Sequence, residues 1–263
     1  MSPQEASWLL AEKYSGKQTP AFFADLELLQ SGTPLAYLIG SVPFLDTTIY
    51  LDSHPLIPRP ETEFWTEKAI SEIEKYTHPD GNPRGSSPGS PLGSVKVLDL
   101  CAGSGAIGVA VLKAVSEAHV TFGEIEEEHL RTIGKNLAEN NVDCTRYRVL
   151  QSDLFENIDG TFDFILTNPP YIDPALDRTE VSVKTHEPHV ALYGGVRGME
   201  LIAKIISKAP SYLTSNGQVW VEHEPEQSAE IADLADKNGF TAVTHKDQYD
   251  TERYSVLKRT ALE

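Results

Sequence analysis

Cysteine is scarce in this chain of 263 residues. Cys101 and Cys144 are the only two, too few for a disulfide framework or a zinc site, and reduced thiols in a cytoplasmic protein account for them. No apolar run approaches the roughly 20 residues that a membrane-spanning helix requires, so no association with a bilayer is expected. The first residues, Met1 to Tyr14, lack the basic start and apolar stretch of a secretory signal, and Glu5 and Glu12 do not suit a transit peptide. The eight histidines show no metal-ligand spacing, no HExxH and no paired Cys/His set, which predicts no catalytic metal. Basic residues are in deficit: 22 Lys and Arg against 39 Asp and Glu give a formal net charge of -17. A protein that grips a nucleic-acid backbone needs a basic face to displace counterions, so this balance weighs against DNA or RNA as the substrate. No internal repeat is present.

What is there describes a globular protein, with 40% hydrophobic and 23% charged residues. Its length suits one sheet-based catalytic domain with a smaller appendage. Apolar side chains at helical spacing predict short helices over 3–14 and 20–30, the second ended by Gly32 to Pro34. Residues 44–51 read as a strand or hairpin. A turn over 56–60 follows, and Pro60 with Glu61 and Glu63 opens a helix over 61–76. Residues 77–94 are packed with Gly, Pro and Ser and read as a flexible linker. Three parts are therefore expected: a small helical and hairpin domain over 1–76, the linker, and a catalytic domain over 95–263. In the last part, strands (95–100, 120–125, 147–151, 162–167, 218–222, 241–245 and 253–258) alternate with helices (105–117, 127–140, 199–209 and 226–237). Such alternation implies an α/β fold with a mostly parallel sheet covered on both faces.

The first of these strands runs into Asp99, Leu100, Cys101, Ala102, Gly103, Ser104, Gly105, Ala106, Ile107 and Gly108. Glycines there let the backbone approach a ligand where a helix begins. The GxGxxG spacing alone would equally suit NAD. Asp99 discriminates, because a carboxylate beside the ligand repels a pyrophosphate but attracts the ammonium and sulfonium of S-adenosylmethionine. Glu124, about 20 residues further on at the end of the next strand, is placed to accept hydrogen bonds from both ribose hydroxyls. After the third strand, Asp153 and Leu154 suit adenine, one meeting its exocyclic amine and the other its face; Asp153 would also serve as a turn cap.

The fourth strand delivers Asn168, Pro169, Pro170 and Tyr171 at its carboxyl end, where open sheets bind ligands. An amide or aromatic amine nitrogen is a poor nucleophile, its lone pair being delocalised, so an enzyme that alkylates it must hold both N–H bonds. The Asn168 side-chain oxygen and the Pro169 carbonyl supply two acceptors, while the prolines stiffen the backbone. Tyr171 would stack on the planar group and exclude water. Methyl transfer then needs in-line geometry more than a strong base.

These residues together resemble the HemK-type peptide chain release factor glutamine methyltransferases. The most specific likeness lies outside the catalytic core, in GTPLAYLIG (32–40) followed by Phe44 and in LIPRPETE (56–63). EPHVALYGGVRG (187–198), VEHEPEQ (221–227) and DTERY (250–254) resemble the remaining family blocks. The resemblance implies a Rossmann-like, class I S-adenosylmethionine-dependent methyltransferase domain of seven strands, the last antiparallel, behind a small helical domain with a β-hairpin that helps to recognise the release factor. It implies as acceptor the glutamine of the GGQ motif in class I release factors, with an effect on translation termination, and a monomeric cytoplasmic enzyme. By position, Cys101 to Gly105, Glu124, Leu154 and Asn168 would contact the cofactor, and Asn168 to Tyr171 would hold the glutamine. Arg59, Glu61 and Thr62 would lie at the cofactor's edge, although Glu61 equally suits a helix start. Three features depart from the family pattern: a short stretch before GTPLAYLIG, a long linker, and Glu124 where aspartate is commoner. The rival reading is a nucleic-acid amino-methyltransferase acting on adenine N6, guanine N2 or cytosine N4, which poses the same chemical problem but calls for a basic groove and a target-recognition element. A dehydrogenase is disfavoured by Asp99, and a silent binding module by the intact Asn168 and Tyr171.

Overall fold

Strand β3 (Val95–Leu100) is buried on both faces, as its run of Val and Leu requires, and it occupies the middle of a seven-stranded sheet. The structure, a computed structural model, describes residues 2–78, 94–176 and 181–260; most of the expected linker over 77–94 lies outside them. Beside β3 stand β4 (Ala118–Glu124) and β5 (Tyr147–Gln151) on one side and β6 (Phe162–Thr167) and β7 (Leu213–Glu222) on the other, all parallel. The chain then adds β8 (Phe240–Lys246) and β9 (Glu252–Arg259), with β9 between β7 and β8 and antiparallel to both. This order is the class I methyltransferase fold.

Alternation along each strand divides the core in two. Val95 and Val97 face a cluster shared with α4 (Pro60–Thr77), α5 (Ala106–Ala114) and α6 (Glu127–Glu139), whereas Leu98 and Leu100 face one shared with α8 (Glu200–Lys208) and α9 (Ser228–Lys237). Asp99 falls on the first face, beneath α5. Its Oδ2 accepts the Gly108 N–H at 2.9 Å, and its Oδ1 has no partner. Burial pushes its carboxyl up to about 8. Gly108 is required for this close approach, since a Cβ there would stand 2.3 Å from the Phe122 ring.

The N-terminal part begins with α1 (Pro3–Glu12), α2 (Pro20–Gln30) and α3 (Leu35–Ile39), which bury Leu9, Phe22, Leu29 and Leu38 in a small cluster of their own. Helix α3 was not expected from the sequence; it is one turn, stopped by Gly40 in the left-handed conformation. A hairpin of β1 (Ser41–Phe44) and β2 (Thr47–Tyr50) follows, opening three residues before the strand expected over 44–51. Phe44, Ile49, Trp65 and Ile73 of the hairpin and α4 share one cluster with Val109, Phe122 and Phe164 of the catalytic part. The hydrophobic clusters thus separate near residue 40.

Other differences are local. Helix α1 ends at Glu12 and α5 at Ala114, each short of the expected end. Strand β7 starts five residues early, because Leu213 pairs with Phe162 and the polar residues 214–217 form an irregularity before Gln218 pairs with Phe164. A short helix, α7 (Val181–His186), has too little apolar periodicity to be read from sequence. No helix among the described residues is long and apolar enough to cross a membrane.

The hairpin is fastened by two asparagines, Asn136 of α6 and Asn140 at its C-terminal cap. Asn136 Oδ1 accepts from Tyr50 N at 2.7 Å while its Nδ2 donates to Tyr50 O and to Ser104 O. Asn140 makes the same pair of bonds to Thr48. Four helical residues advance about 6 Å and two strand residues about 6.6 Å, so side chains at i and i+4 meet alternate residues of an edge strand in register. Ser104 belongs to the glycine loop, and Asn136 therefore joins hairpin and loop.

Two predictions come from these contacts. Asn136→Ala removes the partner of the buried Ser104 carbonyl and of both half-buried backbone groups of Tyr50 and should cost about 2–3 kcal/mol in stability, read as a lower urea midpoint at unchanged slope. For Asp99, the folded state keeps a proton that the unfolded chain loses above its ordinary value of 3.8. Its contribution to stability is full below that value and declines as pH rises towards about 8. Asp99→Asn should flatten the dependence of the urea midpoint on pH across this window, and an unaltered slope would refute the assignment.

Candidate active site

The carboxyl ends of β3 to β6 open onto two cavities that share a wall. The smaller, of about 260 Å³, is lined by Cys101, Ala102, Gly103, Ser104, Glu124, Asp153 and Leu154, with Thr62 and Pro170. The larger, of about 450 Å³, is lined by Arg59, Pro169 and Tyr171, with Glu224 and Gln227. Asn168 lines both, as do Leu56 and Ala191. The glycine-loop residues and the tetrapeptide, separated by more than sixty positions in sequence, meet because β3 and β6 are neighbours in the sheet.

Glu124 is buried at the end of β4, where Oε2 accepts the Gly103 N–H at 2.6 Å and Oε1 accepts the Glu126 N–H at 3.0 Å. Each oxygen keeps a second lone pair, so this carboxylate can still receive a diol. Leu154 is buried with a left-handed φ of 49° that turns the chain under the cavity, whereas Asp153 is exposed at its mouth. Cys101 also has positive φ, and burial pushes its thiol up, leaving it neutral.

Four residues read as cofactor contacts do not line the smaller cavity. Asp99 lines neither cavity, because strand alternation turns it under α5. Glu124, Glu126 and Asp153 line the smaller cavity with Lys204 and leave it net acidic. Such a cavity fits a cationic sulfonium and ammonium and repels a pyrophosphate. Arg59 lines the larger cavity, ion-paired with Glu187. Glu61 lines neither, sitting in the first turn of α4 where the helix dipole favours an acid. Gly105 is also outside both linings; its φ of 78° begins α5. Among the described residues, no group of three His, Cys, Asp or Glu could hold a metal ion.

Sequence reasoning assigned no role to Glu222, which gathers side chains beside the tetrapeptide. Its Oε2 accepts from Thr62 Oγ1 at 2.7 Å and from Trp65 Nε1 at 2.6 Å, and its Oε1 from the Tyr171 hydroxyl at 2.9 Å. Burial raises this carboxyl, while the three donors and Arg253 pull it back towards the charged form. The Tyr171 hydroxyl is pushed far up, first by burial and then by the Glu222 charge. Asn168 joins the same network, its Nδ2 donating to Thr62 Oγ1 at 3.2 Å. A signal for Glu222 was present: an acid closing the apolar strand QVWVE must be buried and so must find donors.

The segment after α7 covers the tetrapeptide. Gln227 Nε2 donates to the carbonyls of Tyr171 and Arg197. Gly198 lies so close that a Cβ would sit 1.8 Å from the Tyr171 carbonyl oxygen. Glu187, also without a role from sequence, accepts from Ile57 N and Arg59 Nη2 and pins 57–59 across the cleft.

Residues 90–185 match the family described as "Methyltransferase small domain". The release factor glutamine methyltransferase of Lactococcus lactis subsp. lactis is 32% identical, covering 96% of this chain and 88% of that protein. The structure of the Thermus thermophilus 16S rRNA N2 G1207 methyltransferase in complex with AdoMet and guanosine superposes with a TM-score of 0.54 at 18% identity, over 84% of this chain and 50% of that one. Such a distant likeness carries the fold alone. The release factor glutamine methyltransferase of Rhodopirellula baltica is 37% identical over 87% of this chain and 74% of its own length, and this chain belongs to the release factor glutamine methyltransferase family.

Proposed function

We propose that this protein methylates a glutamine side-chain amide, that of the GGQ loop of class I peptide chain release factors, at the junction of its two cavities. The observation that carries this reading is Asn168, the polar side chain common to both walls. The smaller cavity is the cofactor site. There Glu124 takes the ribose hydroxyls, Leu154 packs on the adenine, Asp153 meets its amine, and the backbone of residues 101–104 receives the methionine portion. S-adenosylmethionine supplies an electrophilic methyl carbon on a positively charged sulfur.

The remaining work falls to the chain's own residues. Asn168 Oδ1 and the Pro169 carbonyl accept the two N–H bonds of the acceptor amide and aim its nitrogen at the smaller cavity. As positive charge grows on that nitrogen, the two oxygens stabilise it, and the proton that the methylated nitrogen must shed passes to solvent along one of the two held N–H bonds, so that no strong base is needed. Tyr171 closes the site, its ring against the amide and its hydroxyl held by Glu222. The larger cavity has room for the backbone that flanks a glutamine in a loop. Asp173, Glu224, Glu226 and Glu230 share its lining with Arg59 and Arg197, an excess of acid that suits a peptide better than a phosphate backbone. The proposal extends to a monomer acting in the cytoplasm.

Purified protein with labelled cofactor should mark a release factor and not its GGQ Gln→Ala variant; label appearing in RNA or DNA instead would defeat the proposal. Asn168→Ala should lower turnover by at least about 100-fold with cofactor Kd nearly unchanged. Glu124→Ala should weaken cofactor binding by roughly 10- to 100-fold, as expected for lost hydrogen bonds to a charged group. An unaltered Kd would remove Glu124 from the ribose site.

A further inference from the structure

Asn168 serves as an acceptor only if its oxygen, and not its NH2, faces the larger cavity. The two ends of a primary amide have nearly the same shape, so packing cannot choose between them and hydrogen bonding must. The network around Glu222 makes that choice. Trp65 Nε1 can only donate, and it donates to Glu222 Oε2. The Thr62 hydroxyl meets the same oxygen at 2.7 Å, and the Tyr171 hydroxyl takes the other oxygen. Thr62 has a single hydroxyl hydrogen, and Glu222 receives it. Towards Asn168, Thr62 can then offer only lone pairs, and it meets Nδ2 at 3.2 Å. A reversed amide would set Oδ1 against Oγ1, two acceptors in contact at a site where Thr62 is 4% exposed and Glu222 1%; an uncompensated buried contact of this kind is costly.

We propose that Thr62 and Glu222 are positioning residues that lock the Asn168 amide with its oxygen towards the acceptor cavity, so that the site selects groups that donate N–H over groups that can only accept. The proposal rests on the reading of Asn168 as the acceptor-binding residue. It also gives α4 a part in the chemistry, exerted through Asn168, since Thr62 and Trp65 lie on that helix.

Thr62→Val keeps the shape and removes the lone pairs. It should lower kcat on the release factor by roughly 10- to 100-fold, the loss expected when one buried amide bond is misdirected, with cofactor Kd within about two-fold of wild type. Thr62→Ser should restore most of the activity. A urea midpoint measured on each variant confirms that it is folded. Hydrogen exchange of the Asn168 side-chain NH2, followed by nitrogen NMR and assigned by its absence in Asn168→Ala, gives a readout independent of turnover: slow in wild type and Thr62→Ser, fast in Thr62→Val. The proposal is overturned by a folded Thr62→Val with wild-type kcat and slow exchange. It is equally overturned if the loss of activity is matched by a loss of cofactor affinity, which would make Thr62 a cofactor contact, or if Thr62→Ser is as impaired as Thr62→Val. Failure of the wild-type protein to methylate any release factor would instead sink the functional reading, and the exchange measurement would still decide the lock.

Discussion

A buried carboxylate at the end of β7 holds the acceptor side of this protein together. Glu222 is 1% exposed, and removing an ionised group from water costs several kcal/mol unless donors replace the lost hydration. Three donors do so, from Thr62, Trp65 and Tyr171. They come from two places far apart in sequence, the first turns of α4 and the tip of β6, and only the carboxylate brings them to one point. Any displacement of α4 from the sheet would strip this buried carboxyl of two of its three donors. The geometry of Asn168 and Tyr171 is thereby tied to the stability of the fold.

The same tie explains why the N-terminal part is more than an appendage. Helix α4 and the hairpin share the core of the sheet, and Asn136 and Asn140 bind the hairpin edge in the way a further strand would. Through Ser104, Asn136 extends that attachment to the glycine loop. On the opposite side of the cleft, Glu187 grips Ile57 and Arg59, and Gln227 grips the Tyr171 carbonyl. The loops around the two cavities are thus cross-linked by side chains whose partners lie more than thirty residues away.

Much of this was legible in order of residues. Runs of Val, Ile and Leu mark strands buried on both faces, apolar spacing of 3.6 marks the longer helices, and a glycine cluster between strand and helix marks the cofactor loop. The tetrapeptide at the end of β6 could be read for its chemistry, because two acceptors and two rigid prolines are properties of the residues themselves. Short elements escaped. Helices α3 and α7 have one turn or little more, too few residues to show a period, and the start of β7 is hidden by a polar irregularity.

The sequence alone determined the fold class and marked out the glycine loop and the Asn168–Tyr171 tetrapeptide, since each depends on local periodicity or on the chemistry of adjacent residues. Only tertiary structure decided which acids face a cavity. Asp99, Glu124 and Glu222 all lie at or near the carboxyl ends of strands, yet one is turned under a helix, one onto a cavity wall and one towards α4. Which face of a strand is covered by which helix depends on packing across the whole sheet, and a carboxylate takes its role from the donors that packing supplies.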